Sequence, residues 1–426
     1  MNLDSSSASK YKKKLQPNNK WKHFLAVLGP GLVVMLADTD AGSVITAAQS
    51  GAQWGYKLLG AQLILIPILY VVQELTVRLG LVTKKGHGEL IRETFGMSWA
   101  ILSVVTLIVA CVGALLTEFS GLSGVGSLFG IPSWLTMIFA AGGLILVVVT
   151  GSYRSVERVA IFVGLFELVF LIVPFYAKPN ALELWSGILH PALNKPSYIY
   201  LLIANIGAVI MPWMVFYQQS AIVDKNLDED DLKPARWDTA IGSVITQLVM
   251  AGILVITAAT IGKSNPNTPL NDVPQIANAL TPFLGQINGK LFFAMGMIGA
   301  SLVAAIVVSL TAAWGVGEVF GFKHSLEHHP KEAPWFYTIF IASVVFSAIF
   351  VGSNVNLVAI SVGVQVMNAA LLPIVLFFLY ALARKALPPD YKLKGIHSVL
   401  FLILTIALSC LNLFGAYQTA FPSAGS

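Results

Sequence analysis

Charge is what this chain has least of. Of its 426 residues only 11% are Asp, Glu, Lys or Arg, while 56% are hydrophobic. A soluble domain carries about 25% charged residues, and less than half that density cannot coat a water-soluble globule of this size. A soluble enzyme, a nucleic-acid-binding protein and a disordered chain are therefore excluded. Cysteine is nearly absent. Cys111 and Cys410 both lie in apolar runs, give neither a disulfide framework nor metal-ligand spacing, and read as packing residues. The alternating ten-residue segments of a transmembrane barrel are missing. So are His-Glu-x-x-His, Gly-x-Ser-x-Gly and P-loop patterns, which argues against a membrane-embedded enzyme.

What is present is a series of long apolar runs. A helical crossing needs about 20 such residues. Eleven candidates are read, roughly 24–50, 57–83, 97–121, 130–150, 155–177, 198–223, 238–262, 288–319, 335–352, 355–383 and 396–418. The expected fold is an all-α polytopic membrane protein of about 11 transmembrane helices. Residues 1–22 form a cytoplasmic basic tail and 23–420 a single transmembrane domain. Lys and Arg set orientation through their bias to cytoplasmic loops. With the N-terminus cytoplasmic, 21 of the 26 fall on the inside, and only Lys57, Lys178, Lys195, Lys263 and Lys290 on the outside. That alternation supports the span count, puts the C-terminus outside, and accounts for the net charge of +5 without a nucleic-acid partner. A bacterial inner membrane is the compatible location.

Two spans contain residues that a lipid-facing helix would not choose. In span 1, Asp38 and Asp40 fall near the middle, followed by Ala41, Gly42 and Ser43. Carboxylates at bilayer depth are costly and face a cavity or a partner. Asp, Ser and Gly are also poor helix formers, so the helix is expected to unwind around 38–43. In span 6, Pro212 removes a backbone donor and clashes with the preceding turn, freeing carbonyls near Ala208 and Val209. Gln218 and Gln219 add buried polarity. Spans 1 and 6 open two five-span sets, 1–5 (about 24–177) and 6–10 (about 198–383), with 396–418 as an extra helix. Interrupted helices at matching places in two halves point to a midplane site in an inverted-repeat transporter. With Asp40 supplying negative charge, the expected ligand is a cation.

Other residues divide between site and structural readings. Asp38 would lie opposite Asp40 on a regular helix, and serves either ion attraction or a structural hydrogen bond. Gln365 and Asn368 in span 10 face the cavity or join helices. Glu167, in the middle of span 5, should face the bundle. Glu74 and Arg78, four apart, form an ion pair. His324, His328 and His329 read as a solvated cytoplasmic loop, with a regulatory metal site as the alternative. Gly296, Gly299, Ala300, Ala304 and Ala305 in span 8 mark close helix packing.

These residues resemble the Nramp family of divalent-metal transporters over most of the chain. Gly29-Pro30-Gly31 with Asp40-Ala41-Gly42-Ser43 is similar to the family's span 1 opening and its Asp-Pro-Gly-Asn motif. The run from Gly51 to Leu59 and the Met211-Pro212 pair have counterparts too, as do Thr117-Glu118, Glu157, Asp238-Thr239 and Leu371-Leu372-Pro373. The resemblance implies two inverted repeats plus an extra helix, and a substrate ion held between broken spans 1 and 6. It implies Asp40 as carboxylate ligand, Ser43 in the place of the asparagine, Ala208 through its carbonyl and Met211 through its thioether. Glu118 would belong to the polar network beside them; Asp38, which has no counterpart in the family motif, and Gln218, Gln219 and Gln365 are further candidates for the surroundings of the site.

The departures bear on mechanism. Ala41 replaces the motif proline, Ser43 its asparagine and Trp213 the histidine of Met-Pro-His. Leu115 stands where an aspartate often does. Most groups tied to proton movement are missing, which speaks against proton coupling. A thioether favours Mn²⁺ or Fe²⁺, whereas a shorter serine widens the site for a partly hydrated Mg²⁺. The pattern resembles the divergent magnesium-transporting branch, with Mg²⁺ favoured and Mn²⁺ also carried. Alternatives are a proton-coupled Mn²⁺/Fe²⁺ carrier, an organic-solute/Na⁺ symporter of the same architecture, and a channel. Asp40 would repel a carboxylate substrate, which disfavours the symporter.

Overall fold

Within a bilayer, backbone polar groups find no water and must bond within the segment, so each apolar run becomes a helix. The computed structural model describes residues 24 and 27–420, apart from 265, 267–268 and 354–355, and these contain helices and no strands. The basic tail, 1–22, lies outside the described residues.

Span 1 is two helices, α1 (Pro30–Asp38) and α2 (Ala41–Trp54). Span 2 is α3 (Leu59–Thr83), and a short surface helix, α4 (His87–Phe95), leads to span 3, α5 (Met97–Leu128). Span 4 is α6 (Ser133–Thr150). Span 5 is α7 (Tyr153–Gly164) and α8 (Val169–Ala177), joined by a 3₁₀ turn at Leu165–Leu168. An exposed helix, α9 (Ala181–Leu189), follows. Span 6 is again split, α10 (Pro196–Val209) and α11 (Pro212–Asp224). Spans 7 to 11 are α12 (Leu232–Ala259), α13 (Gln286–Phe320), α14 (Pro334–Val351), α15 (Leu357–Lys385) and α16 (Gly395–Ala420).

Eight stretches are long and apolar enough to cross a membrane by themselves. The other three of the eleven expected spans are present but interrupted or shorter. Span 1 is broken, span 5 opens with Arg154, Glu157 and Arg158, and span 11 is strongly apolar only over Ser398–Leu411.

Span 8 packs along span 3 and span 5, as its small residues require. A methyl on Gly299 would press on Val163 and Phe166 of span 5. The large apolar side chains that remain exposed, such as Trp99, Trp134, Phe139 and Trp335, belong to a lipid-facing surface, where apolar exposure carries no penalty. Cys111 is buried, but Cys410 is exposed on α16. Only the first is a packing residue.

Candidate metal centre

The break in span 1 is shorter than composition suggests. Helix is lost only at Thr39 and Asp40 and resumes at Ala41. The reason is capping. Asp40 takes an extended conformation (φ −72°, ψ 169°), and its Oδ1 accepts from the Ser43 amide at 2.5 Å. Glu118 of span 3 accepts the Ala41 amide at 3.1 Å and is itself hydrogen-bonded by Thr117 at 2.9 Å. Two carboxylates thus satisfy orphan donors of the first turn of α2, where the helix dipole also favours negative charge. Residues 41–43, expected to be unwound, are helical on this account.

In span 6 the chain leaves the helix at Ile210 and Met211, and Pro212 restarts it at N1, the position where a missing N–H costs nothing. The two breaks meet. The Ser43 hydroxyl donates to the Ala208 carbonyl at 2.8 Å. Met211, fully buried, lies three residues further on. The carbonyl ends of α1 and α10 both arrive at this point, presenting the negative poles of two half-helices. Span 10 closes one side. A methyl on Gly42 would strike the Gln365 amide and Thr117, and one on Gly207 would strike the Gln365 carbonyl. Both breaks therefore approach span 10 at glycines, one in each half of the chain.

Asp40, Ser43, Ala208, Glu118 and Gln365 are thus brought together, with Met211 on the same interruption. All are buried. Asp40 Oδ2, Gln365 Nε2 and Asn368 Oδ1 have no hydrogen-bond partner, although Asn368 donates to Gln365 at 3.0 Å. Among the described residues no three His, Cys, Asp or Glu side chains converge as a metal cage. A centre of one free carboxylate oxygen, a hydroxyl, a carbonyl and a thioether suits an ion that must also leave.

Gln218 and Gln219 do not join this centre. Two turns along α11, Gln218 donates to Thr239 at 2.8 Å, while Gln219 bonds His87 at 2.9 Å and the Lys85 carbonyl at 2.8 Å. Helical spacing carries them away from the break toward spans 7 and 2. Asp38 faces span 7, where Thr246 and Gln247 each approach its Oδ2 at 3.4 Å. Thr39, Thr246, Gln247 and Gln62 were not singled out from sequence. Their signal, polar side chains within apolar runs, was available for the span 7 pair Thr246-Gln247.

At one end of the bundle, polar contacts tie the halves together. Asp238 of span 7 accepts the amides of Gly29, Gly31 and Leu32 at 3.2, 2.8 and 3.1 Å, capping α1. Lys225 at the end of α11 bonds the Leu28 carbonyl at 2.7 Å and Glu157 of span 5 at 3.0 Å. Glu74 pairs with Arg78, as expected, and also with Arg236, both at 2.6 Å. These contacts hold α1 against spans 5, 6 and 7.

Two half-turns of open backbone, facing each other across the centre of a helical bundle in membrane, define an integral membrane transporter of the broken-helix kind. The chain belongs to the Nramp family. Residues 31–418 match the family described as natural resistance-associated macrophage protein-like, whose members are membrane metal transporters, not enzymes. It is 27% identical over 417 residues to the divalent metal cation transporter MntH of Staphylococcus haemolyticus, covering 93% of this chain and 92% of that protein. Similarity to the metal transporter Nramp3 of Oryza sativa is 28% over 290 residues, or 64% of this chain and about half (53%) of the rice protein's length. The fold matches the Eremococcus coleocola manganese transporter with a TM-score of 0.74 at 21% identity, covering 96% of this chain and 90% of that one. MhsT, solved with L-phenylalanine, shares the architecture with a TM-score of 0.63 at 12% identity, over 95% of this chain and 99% of that one. The inverted-repeat fold read from sequence is thus the observed one.

Proposed function

We propose that this chain carries divalent metal ions across a bacterial inner membrane by alternating access, with Mg²⁺ and Mn²⁺ as substrates and without coupled proton flow. The observation that carries the reading is the Asp40 carboxylate. It is fully buried, fixed at the N-terminus of α2 through one oxygen, and free at the other. Asp40, Ser43, the Ala208 carbonyl and Met211 would bind the ion. Ser43 and Ala208 now bond each other, so an arriving ion exchanges that contact for its own. The manganese and divalent-cation transport named for similar proteins supports the substrate class.

Preference for Mg²⁺ rests on hydration. Mg²⁺ sheds water reluctantly and is commonly held by one or two carboxylates with several waters retained. Beside Asp40 stand an unpartnered donor, Gln365 Nε2, and an unpartnered acceptor, Asn368 Oδ1, which suit ligand waters. Absence of proton coupling rests on Trp213 and Leu115, both fully buried. An indole can only donate, and a leucine does neither. With the N-terminus cytoplasmic, the capped end of α1 faces the cytoplasm.

The test is Mn²⁺ uptake into proteoliposomes. Mg²⁺ in roughly thousandfold excess over Mn²⁺ should suppress it by most of its rate, since competition follows the affinity ratio. An enclosed pH dye should record no acidification. Uptake indifferent to Mg²⁺ and accompanied by proton influx would return the chain to the proton-coupled Mn²⁺/Fe²⁺ type.

A further inference from the structure

Beside the metal centre lies a second polar cluster that the transport reading does not use. Asp38 and Thr39 come from the end of α1, Glu167 from span 5, and Thr246 and Gln247 from span 7, with Gln62 of span 2 behind them. All six are buried, none more than 1% exposed. Thr39 and Thr246 share a hydrogen bond between hydroxyls of 2.6 Å. Gln62 donates to Gln247 at 2.8 Å, and Gln247 approaches Asp38 at 3.4 Å. Glu167 lies beside the Thr39 hydroxyl.

Four oxygens here have no donor: Asp38 Oδ1, both oxygens of Glu167, and Gln62 Oε1. Two belong to a glutamate on a separate element, at a 3₁₀ tightening of span 5 (Leu165–Leu168), a mid-helix irregularity of the kind found at functional hinges. No ion pair among the described residues involves Asp38, Asp40, Glu118 or Glu167. The paired cations Arg78, Arg236 and Lys225 sit at one end of the bundle, and Lys85 and Lys263 pair with Glu93 and Glu183. Buried carboxylates are retained where they are hydrogen-bonded, paired or coordinated to an ion.

We infer that Asp38, Glu167 and the carbonyl end of α1, with the Thr39 and Thr246 hydroxyls, form a second cation site for Na⁺, bound separately from the transported metal. The donors are all hard oxygens, which excludes soft metals. Half-helix C-terminal ends at such breaks coordinate small cations. The cluster is tightly hydrogen-bonded, which suits an ion that gives up its water more readily than Mg²⁺. A single proton would satisfy one carboxyl and leave the second without a donor.

The test does not involve transport, so its failure is separable from failure of the metal assignment. Full-length protein in detergent, free of divalent metal, is melted in choline chloride, KCl or NaCl. NaCl alone should raise the melting temperature in a saturable manner. Glu167→Gln should weaken the half-saturating Na⁺ concentration by roughly tenfold or more, with Mn²⁺ affinity in choline kept within roughly threefold. Should Glu167→Gln fold poorly, Thr246→Ala serves, removing one hydroxyl. Equal rises in all three salts, a Na⁺ response unchanged in the variants, or a response to Mg²⁺ that Glu167→Gln abolishes, would each overturn the proposal.

Discussion

At the scale of single residues, the two oxygens of Asp40 differ. Its Oδ1 caps the N-terminus of α2 and its Oδ2 is free. Asp40→Ala should therefore abolish metal binding measured by calorimetry. Its stability cost should be only about 1 kcal/mol, the value of a lost N-cap, because Glu118 still holds the Ala41 amide. Ablation of binding with a nearly unchanged melt distinguishes a ligand from a purely structural acid. His87 provides a second prediction, outside the spans. Buried between Gln219 and the Phe216 ring, at 2.9 Å and 4.7 Å, it has its pKa lowered to about 4 by desolvation. The folded state holds this ring neutral, while the unfolded chain takes up a proton near its ordinary pKa of 6.5. Its contribution is thus intact above pH 6.5 and is lost as pH falls toward 4, by about 3 kcal/mol in full. His87→Gln should flatten that part of the pH–stability curve, measured by thermal melts at stepped pH.

At the scale of elements, the two broken helices were legible and their company was not. Asp38, Asp40 and Pro212 announce interruptions by local chemistry alone, since buried carboxylates and a mid-span proline have few alternatives. The extent of the first break was overestimated because Glu118, far off in sequence, supplies the cap. Gln218 and Gln219 looked like site residues by composition, yet two turns of helix separate them from the break. The latch at the α1 end is another long-range product. Lys225 and Glu157 are largely buried, at 14% and 11% side-chain exposure. Lys225→Met should release α1 by about 1–3 kcal/mol, between the values for surface and buried pairs. Hydrogen exchange of the Gly31 and Leu32 amides should then quicken by roughly tenfold or more, as local opening predicts. Unchanged exchange would mean that the Asp238 cap holds α1 alone.

At the scale of the whole molecule, the loop charges predict which end is cytoplasmic. In a background with Cys111 and Cys410 replaced by serine, Asn226→Cys should be shielded from an impermeant thiol reagent outside intact cells, and His190→Cys labelled. The reverse pattern would invert the orientation. Sequence alone determined that this chain lives in a membrane as a repeat of helices broken in two places, because hydropathy, loop charge and backbone-breaking residues act locally or add along the chain. Tertiary structure decided what those breaks can hold. Pairing Ser43 with Ala208, Ala41 with Glu118 and Thr39 with Thr246 joins residues from 77 to 207 positions apart. Contacts at that range depend on how whole helices dock, which no local pattern encodes.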